Sequence, residues 1–449
     1  MDGITLTICL VCSVLCVCLR PPYALAVYLA GLVWYPEYLR VSIGTVDLST
    51  GRIIVTILLL RCLCTNKIRN YFSWSRLDSF VTLSMVVYVG VYCINYPDLK
   101  MSLENRGGFV LDTWFVYLAT RLCISNQMSL ISFIKMAALI QIPLAVLGVI
   151  GAITGWQPYL VLYQYCPWKP EISLNDARWG FTRAQGPFSH SIMFGDYFVT
   201  FLPLIWTLRL QRNLWRKLAY FLSAIAILGA ISCFSSGCWI MLGASLCFQY
   251  IKKWKQNVKP IAITIVIAIL LIEIISNRPA YHVLSELLNT GGVWYQRAQI
   301  IDCAIEDFSK WWLAGYGGVD PGWATGGYMA FSDINNQFIL TGVECGIWGV
   351  IALCSVFIVS FQELIASSKK TINKGLKSLY WALGVILSAT SIAWLGVSYF
   401  GQMTSIFYLI LGMIGSAVLF PTRAVVNLHR VNSKTKFSPI KKISQQHII

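Results

Sequence analysis

The chain has 449 residues, 57% of them hydrophobic and 12% charged, with a mean hydropathy of +0.65; soluble domains carry about twice that charged fraction. Apolar runs of about 20 residues recur from end to end without period-two alternation, which argues against a soluble domain or a β-barrel and for an all-α polytopic membrane protein. The formal charge of +16 is concentrated in short loops between the runs, where the positive-inside rule accounts for it and nucleic acid is not needed as a partner.

In chain order, spans are expected over 4–19, 22–38, 52–64, 79–95, 108–124, 130–154, 191–209, 215–233, 236–250, 260–277, 337–362, 378–398 and 402–420, about twelve to thirteen in all. No Lys or Arg precedes Arg20 and no small-residue cleavage site follows the first run, so it reads as a retained span. Most of the 15 cysteines lie in apolar runs (Cys9, Cys12, Cys16, Cys18, Cys62, Cys64), where a thiol behaves as a small hydrophobe. Cys9-x-x-Cys12 has no following His and no second pair, so neither metal nor haem is expected. A bridge between Cys166 and Cys303 stays an open alternative.

The basic clusters alternate with poorer loops: Arg61 to Arg76, Arg209 to Lys217, Lys252 to Lys259, Lys369 to Lys377, and the tail from Arg423 to Lys442. All can face the cytoplasm at once, which puts 96–107, 155–190 and 278–336 outside and the C-terminus inside. The expected organisation is an N-terminal helical part over 1–154, an outside loop over 155–190 and central helices over 191–277. A large outside loop over 278–336, C-terminal helices over 337–420 and a basic cytoplasmic tail over 421–449 complete it.

The two longest outside segments hold most of the polar chemistry. In the second, Trp294, Ala298, Ile301, Ile305, Phe308 and Trp312 step by four and three, the apolar face of a helix about five turns long. Arg297, Asp302, Glu306, Asp307 and Lys310 occupy its other faces. Such a helix suits a bilayer surface or the roof of a cavity, or simply packs on the bundle. Gly315-Tyr316-Gly317-Gly318, Asp320-Pro321-Gly322 and Gly326-Gly327 follow; glycines this dense permit positive φ and close approach to a ligand, and equally serve a tight loop. Asp333, Asn335, Asn336 and Gln337 then stand at the start of the next span, where they either cap the helix or hold sugar hydroxyls. In the first segment, Arg178 and Arg183 precede Gly186-Pro187-Phe188-Ser189-His190. Arginine forks suit a diphosphate at a membrane surface, and His190 reads as a cap before a proton acceptor. No nucleotide-binding glycine fingerprint is present.

An arginine–glycine motif (Arg183-Ala-Gln-Gly186-Pro-Phe), a long outside loop opening with Trp294-Tyr295-Gln-Arg297, and Gly315-x-Gly317-Gly318 lead to a polar motif at the next helix. Asn336, nine residues and Gly346-Ile-Trp-Gly349 complete it. In this order the chain resembles the O-antigen ligase and polymerase family of bacterial integral-membrane glycosyltransferases. The resemblance covers most of the chain in hydropathy and roughly residues 178–349 in motif. The family's histidine position is Asn335 here, and Ser235-Ser236-Gly237 stands where members often show Ser-Arg-Gly.

The resemblance implies a GT-C-like helical architecture in the inner membrane with a long, partly helical extracytoplasmic loop. The donor it implies is an oligosaccharide on a polyprenyl diphosphate, and the acceptor a glycan or a lipid, with neither cofactor nor metal. A polysaccharide chain-length regulator is the partner suggested by analogy, and membrane lipid the surroundings. By position Arg183 and Arg297, with Arg178, hold the diphosphate. Trp294, Tyr295, Tyr316, Asn336 and Gln337 are the candidate glycan contacts. Asn335 can orient a hydroxyl but cannot take its proton, which leaves Asp333 or Asp320 as base and points to polymerase ahead of ligase. A lipid-linked glycan flippase and a non-catalytic scaffold are the competing classes; the polar weight in loops on one face favours one-sided chemistry over alternating access.

Overall fold

The computed structural model describes residues 2–69, 72–166, 177–212, 214–251, 267, 270–287, 293–323 and 333–420. The chain opens with α1 (Asp2–Cys18), α2 (Pro21–Trp34), the hairpin β1 (Arg40–Ile43) and β2 (Val46–Ser49), and α3 (Thr50–Cys64). The single turn α4 (Asn66–Arg69) leads to α5 (Arg76–Asn95), then α6 (Leu99–Val110), a π turn over Leu111–Phe115, α7 (Val116–Cys123) and α8 (Gln127–Thr154). A 3-10 stretch over Pro158–Tyr165 and the two-residue hairpin β3 (Ala177–Arg178) and β4 (Phe181–Thr182) precede α9 (Ser191–Thr207), α10 (Leu214–Ser232) and α11 (Ser236–Ile251). After α12 (Ala280–Leu287), α13 (Val293–Glu306) and α14 (Phe308–Trp311) come α15 (Gln337–Lys370), α16 (Lys374–Ala393) and α17 (Gln402–Ala417). Both hairpins are antiparallel, with Arg40 opposite Ser49 and Ala177 opposite Thr182.

The chain is therefore mostly helical, and among the described residues six helices are long and apolar enough to cross a membrane: α5, α8, α9 with its extension to Leu210, α10, α15 and α16. Shorter apolar helices, Gly3–Cys18, Pro21–Trp34, Ser236–Ile251 and Gln402–Ala417, accompany them. The Arg20-Pro21-Pro22 break falls where expected, because proline at the first helical position loses no bond. The segment 96–107 departs from its reading as a loop. It is helical, running through the π turn to Cys123, with Asp98 accepting from the Lys100 and Met101 N–H groups as its cap. The apolar run 260–277 is described only at 267 and 270–277, and Lys252 to Lys259 and the tail after 420 lie outside the described residues.

Burial sorts the helices. α9 and α17 are buried on nearly every side, as helices apolar all round should be. α1 exposes Leu6, Leu10, Val14 and Val17, a surface that a bilayer would cover.

Connections meet at the two ends of the bundle. At one, Ala184 N–H reaches Ser232 O, Gln402 reaches Pro187 O, Gln337 N–H reaches Trp394 O, and Asn95 reaches Ala314 O; this is called the loop end below. At the opposite end Arg76 donates to Gln362 and Asn373 to Gln127. There Arg121, which its place in the sequence made a snorkelling or capping side chain, does neither. It is fully buried against Asp78, with Nε to Oδ1 and Nη2 to Oδ2 both at 2.7 Å. Tyr117 donates to the same carboxylate at 2.7 Å, and Ser75 caps α5 through it.

α15 is one helix by its hydrogen bonds but breaks at Gly346, where φ is 63° and ψ is −163°. The chain between α14 and Gly318 fills that break: Tyr316 N–H donates to Val343 O at 2.6 Å and Ile347 N–H to Trp312 O at 2.7 Å. A Cβ on Gly346 would stand 2.6 Å from Leu313 O and Ala314 N. Both the dihedral and the space demand glycine. Gly346→Ala is expected to cost about 2–4 kcal/mol, read as a fall in the thermal midpoint of the solubilised protein.

Candidate functional site

Three features gather at the loop end: a buried arginine, an aromatic hairpin and a large cavity with charged side chains in its lining. The arginine comes from α13. That helix is shorter than its spacing suggests, ending at Glu306 with a turn before Phe308. The face it buries also differs. Ala298, Ile300, Ala304 and Trp311 are buried beside Arg297, while Ile305, Phe308 and Trp312 are exposed. In a chain with a lipid-facing surface, large apolar side chains need not mark the packed face.

Arg297 is 8% exposed. Its guanidinium lies over the Trp294 ring, 4.1 Å from the centroid, a cation–π contact. Two glycines admit it: a Cβ on Gly396 would stand 3.4 Å from Arg297 Cζ, and one on Gly237 3.8 Å from Nη2. Nε and Nη1 are buried with no hydrogen-bond partner among the described residues. Burial, and next the positive charge of Arg178, push its pKa from the usual 12.5 down to about 10. The result is a cation held out of water without a counter-charge among the described residues.

The hairpin carrying Arg178 turns through Trp179 at φ 53°, and it meets Phe234, at φ 43°, in the turn between α10 and α11. Phe181 stacks on Phe234 at 4.9 Å and Trp179 on Trp239 at 5.4 Å. Two non-glycine residues in the left-handed region at one contact are uncommon and cluster at functional sites. Arg183 is held elsewhere: its Nε donates to Cys233 O at 3.3 Å, and its own carbonyl accepts from Gln157. Of the three expected diphosphate arginines, the charge of Arg178 reaches Arg297, while Arg183 braces the α10–α11 turn.

The cavity has a volume of about 1210 Å³ and lies between the β1–β2 hairpin, α6, the first turns of α15 and the 394–401 strap that joins α16 to α17. Arg40, Arg52 and Arg106 face Asp47, Glu104, Asp112 and Glu344 across it. Arg52 grips Asp112 from Nε at 3.0 Å and from Nη2 at 2.6 Å, and Arg106 reaches Glu344 at 3.3 Å. Gln337, Thr341 and Glu344 line it from one face of α15. Arg297 packs against Gly396 of the strap, whose Trp394, Tyr399 and Phe400 line the cavity.

The other expected site residues fall as follows. Asn336 caps α15, accepting from Phe338 and Ile339 N–H and donating to Leu395 O. That engages its amide in the helix cap and the strap. Asn336→Ala is expected to cost about 1 kcal/mol, and Asn336→Asp, which keeps the cap, less; thermal unfolding distinguishes them. Gln337 lines the cavity while its Oε1 accepts from Tyr399 N–H at 2.7 Å. Asn335 is half-buried and Asp333 exposed. Exposed Asp320 closes a turn by accepting from Gly322 N–H. None of these last three lines the cavity. Tyr316 packs with Ile300, Ile334 and Val343, and Tyr295 is largely exposed. His190 caps α9, with Nδ1 accepting from Ile192 N–H. Cys166 packs with Tyr38 and Leu39 and is not bridged to Cys303. Gly326 and Gly327 lie outside the described residues.

Sequence reasoning missed the cavity's charges. Arg52 and Asp112 sit at the ends of separate apolar runs, and that opposite-sign pair at matching depth was the available signal.

No protein-family model matches the chain, and no curated protein matches it.

Proposed function

We propose that the chain is an integral-membrane glycosyltransferase of the O-antigen ligase and polymerase type. It lengthens a surface polysaccharide by joining repeat units carried on a polyprenyl diphosphate at the extracytoplasmic face of the inner membrane. The observation that carries the reading is Arg297, buried with two nitrogens that have no hydrogen-bond partner among the described residues. Such a group is costly unless an anion completes it. A lipid diphosphate brings two phosphates whose charge grows as the sugar–phosphate bond breaks, and a fixed guanidinium stabilises that change. Trp179 and Trp239, near the same turn, offer faces on which a sugar can stack. The cavity beside the strap takes the acceptor, with Gln337 and Thr341 as hydrogen-bond partners for hydroxyls. Acceptor identity separates the two forms: a second lipid-linked glycan makes a polymerase, a lipid makes a ligase.

One observation favours a second reading. The break of α15 at Gly346, beside Glu344, is the kind of interrupted helix that transporters place at a binding site, so a lipid-linked glycan flippase is the alternative.

Deleting the gene and complementing it with wild type or Arg297→Ala separates these. A polymerase deletion leaves single repeat units, and the alanine variant does not restore the ladder. Long glycan still on its carrier means a ligase, and glycan trapped on the cytoplasmic side means the flippase. A variant expressed at wild-type level that restores the full ladder removes Arg297 from the reaction.

A further inference from the structure

We infer that Glu344 is the general base of the transfer, the group that takes the proton from the acceptor hydroxyl. The inference rests on the glycosyltransferase reading above and deepens it, because neither Asn335 nor the exposed Asp333 and Asp320 lines the acceptor cavity.

Four carboxylates do line it, and one of them, Asp112, is held by Arg52 through both oxygens, Nε lying 3.1 Å from Oδ1 and 3.0 Å from Oδ2. Asp47 accepts from the Ser42 hydroxyl at 2.6 Å through Oδ1. Glu104 accepts from Thr45 at 2.7 Å and has Lys100 at 4.0 Å, both at Oε1. Glu344 uses Oε2, toward Arg106, and like Asp47 and Glu104 keeps its other oxygen without a hydrogen bond among the described residues; of these three it is the one on the face of α15 that carries Gln337 and Thr341. Its side chain is about a third open to the cavity, at 32%.

The position is also fixed from both sides. Arg106 is buried and stacked on Tyr92, 3.5 Å from the ring centroid, so the cation that orients Oε2 cannot swing away. On the helix side the Gly315 loop lies against the backbone of Val343 to Cys345, where a Cβ on Gly315 would meet Val343 O at 2.5 Å. A base held by packing on one side and by an ion pair on the other is preorganised for proton transfer. Gln337 and Thr341, on the same face of α15, lie between Glu344 and the strap, along about 10 Å of helix, and can hold neighbouring hydroxyls of the acceptor.

The step balances without a further reagent. The acceptor oxygen bonds to the anomeric carbon of the donor sugar. The bond from that carbon to the diphosphate oxygen breaks, and the lipid diphosphate leaves with the electron pair. The hydroxyl proton passes to Glu344 Oε1 and then to water.

The test uses purified full-length protein in liposomes with a polyprenyl-diphosphate-linked repeat unit. It follows chain lengthening and, separately, donor retention by the protein. Glu344→Gln is expected to lower turnover about a hundredfold or more with donor KM little changed, and Glu344→Asp to keep part of the rate. If Glu344 served only to neutralise Arg106, removing both charges would restore activity. The double variant Glu344→Gln with Arg106→Gln is therefore expected to stay inactive while folding as well as wild type by thermal midpoint. A double variant that lengthens glycan, or a Glu344→Gln protein within about twofold of wild type, overturns the assignment. Wild type that retains donor but passes it neither to a second lipid-linked unit nor to an added lipid acceptor overturns the glycosyltransferase reading as well, an outcome distinguishable because it needs no variant.

Discussion

Replacing Arg297 by Met is expected to raise the thermal stability of the protein and, at the same time, to lower glycan transfer by about a hundredfold to a thousandfold. The two effects have one cause. Bringing the arginine from 12.5 down to about 10 corresponds to roughly 3 kcal/mol against the charged form, an order-of-magnitude cost that the folded protein bears until an anion arrives. Methionine fills similar space over Trp294 without that cost. The sign with pH follows. The folded state holds the proton less tightly than the unfolded chain, so the penalty is present in full below pH 10. It is relieved only as pH climbs from about 10 toward 12.5. The stability difference between wild type and variant is thus expected to be flat from about pH 6 to 9. Adding a polyprenyl diphosphate should raise the wild-type thermal midpoint and leave that of the variant unmoved. A variant that is less stable than wild type, and equally stabilised by the lipid, would mean that Arg297 is a packing residue.

The largest stability loss is expected at the opposite end of the bundle. Arg121 and Asp78 are both fully buried and doubly bonded. The guanidinium also reaches Ser73 O, and Tyr117 and the Ser75 cap complete the carboxylate. The network ties the start of α5 to the end of α7, and Arg121 Nη1 donates to Ser416 at the end of α17. Arg121→Met alone leaves a buried carboxylate without its cation and is expected to cost about 3–5 kcal/mol; Asp78→Leu alone does the reverse. Arg121→Met combined with Asp78→Leu removes both charges and is expected to recover most of the loss. Thermal unfolding of the four solubilised proteins measures the coupling. Additive losses would show that the two residues act separately.

Six of the expected spans were legible because an apolar run long enough to cross a bilayer has few other uses. What composition hid was helix made from polar residues. Lys100, Glu104, Asn105 and Arg106 look like loop, yet they lie on α6, and three of them line the cavity. The register of α13 misled for a related reason: a rule that buries large apolar residues assumes water outside, and here Phe308 and Trp312 are exposed while Arg297 is packed. Arg297 was a candidate through the motif Trp294-Tyr295-Gln-Arg297 that opens the long outside loop. Asn336 and His190 wrote their roles in the sequence, each standing immediately before an apolar run where a helix needs a cap. Glu344, close to one end of an apolar run, reads in the sequence as a side chain that snorkels or caps. Its meaning depends on Arg106, 238 positions earlier, and no local pattern links the two.

The central claim is that glycan is joined on one side of the membrane at the expense of a lipid diphosphate. Purified wild-type protein in sealed liposomes, given a lipid-linked repeat unit in the outer leaflet and no metal, tests it in one assay. The account predicts chains longer than one repeat, with one free polyprenyl diphosphate released for every new glycosidic bond. Lipid-linked units that cross to the inner leaflet unchanged, with no free carrier and no longer chains, would contradict it.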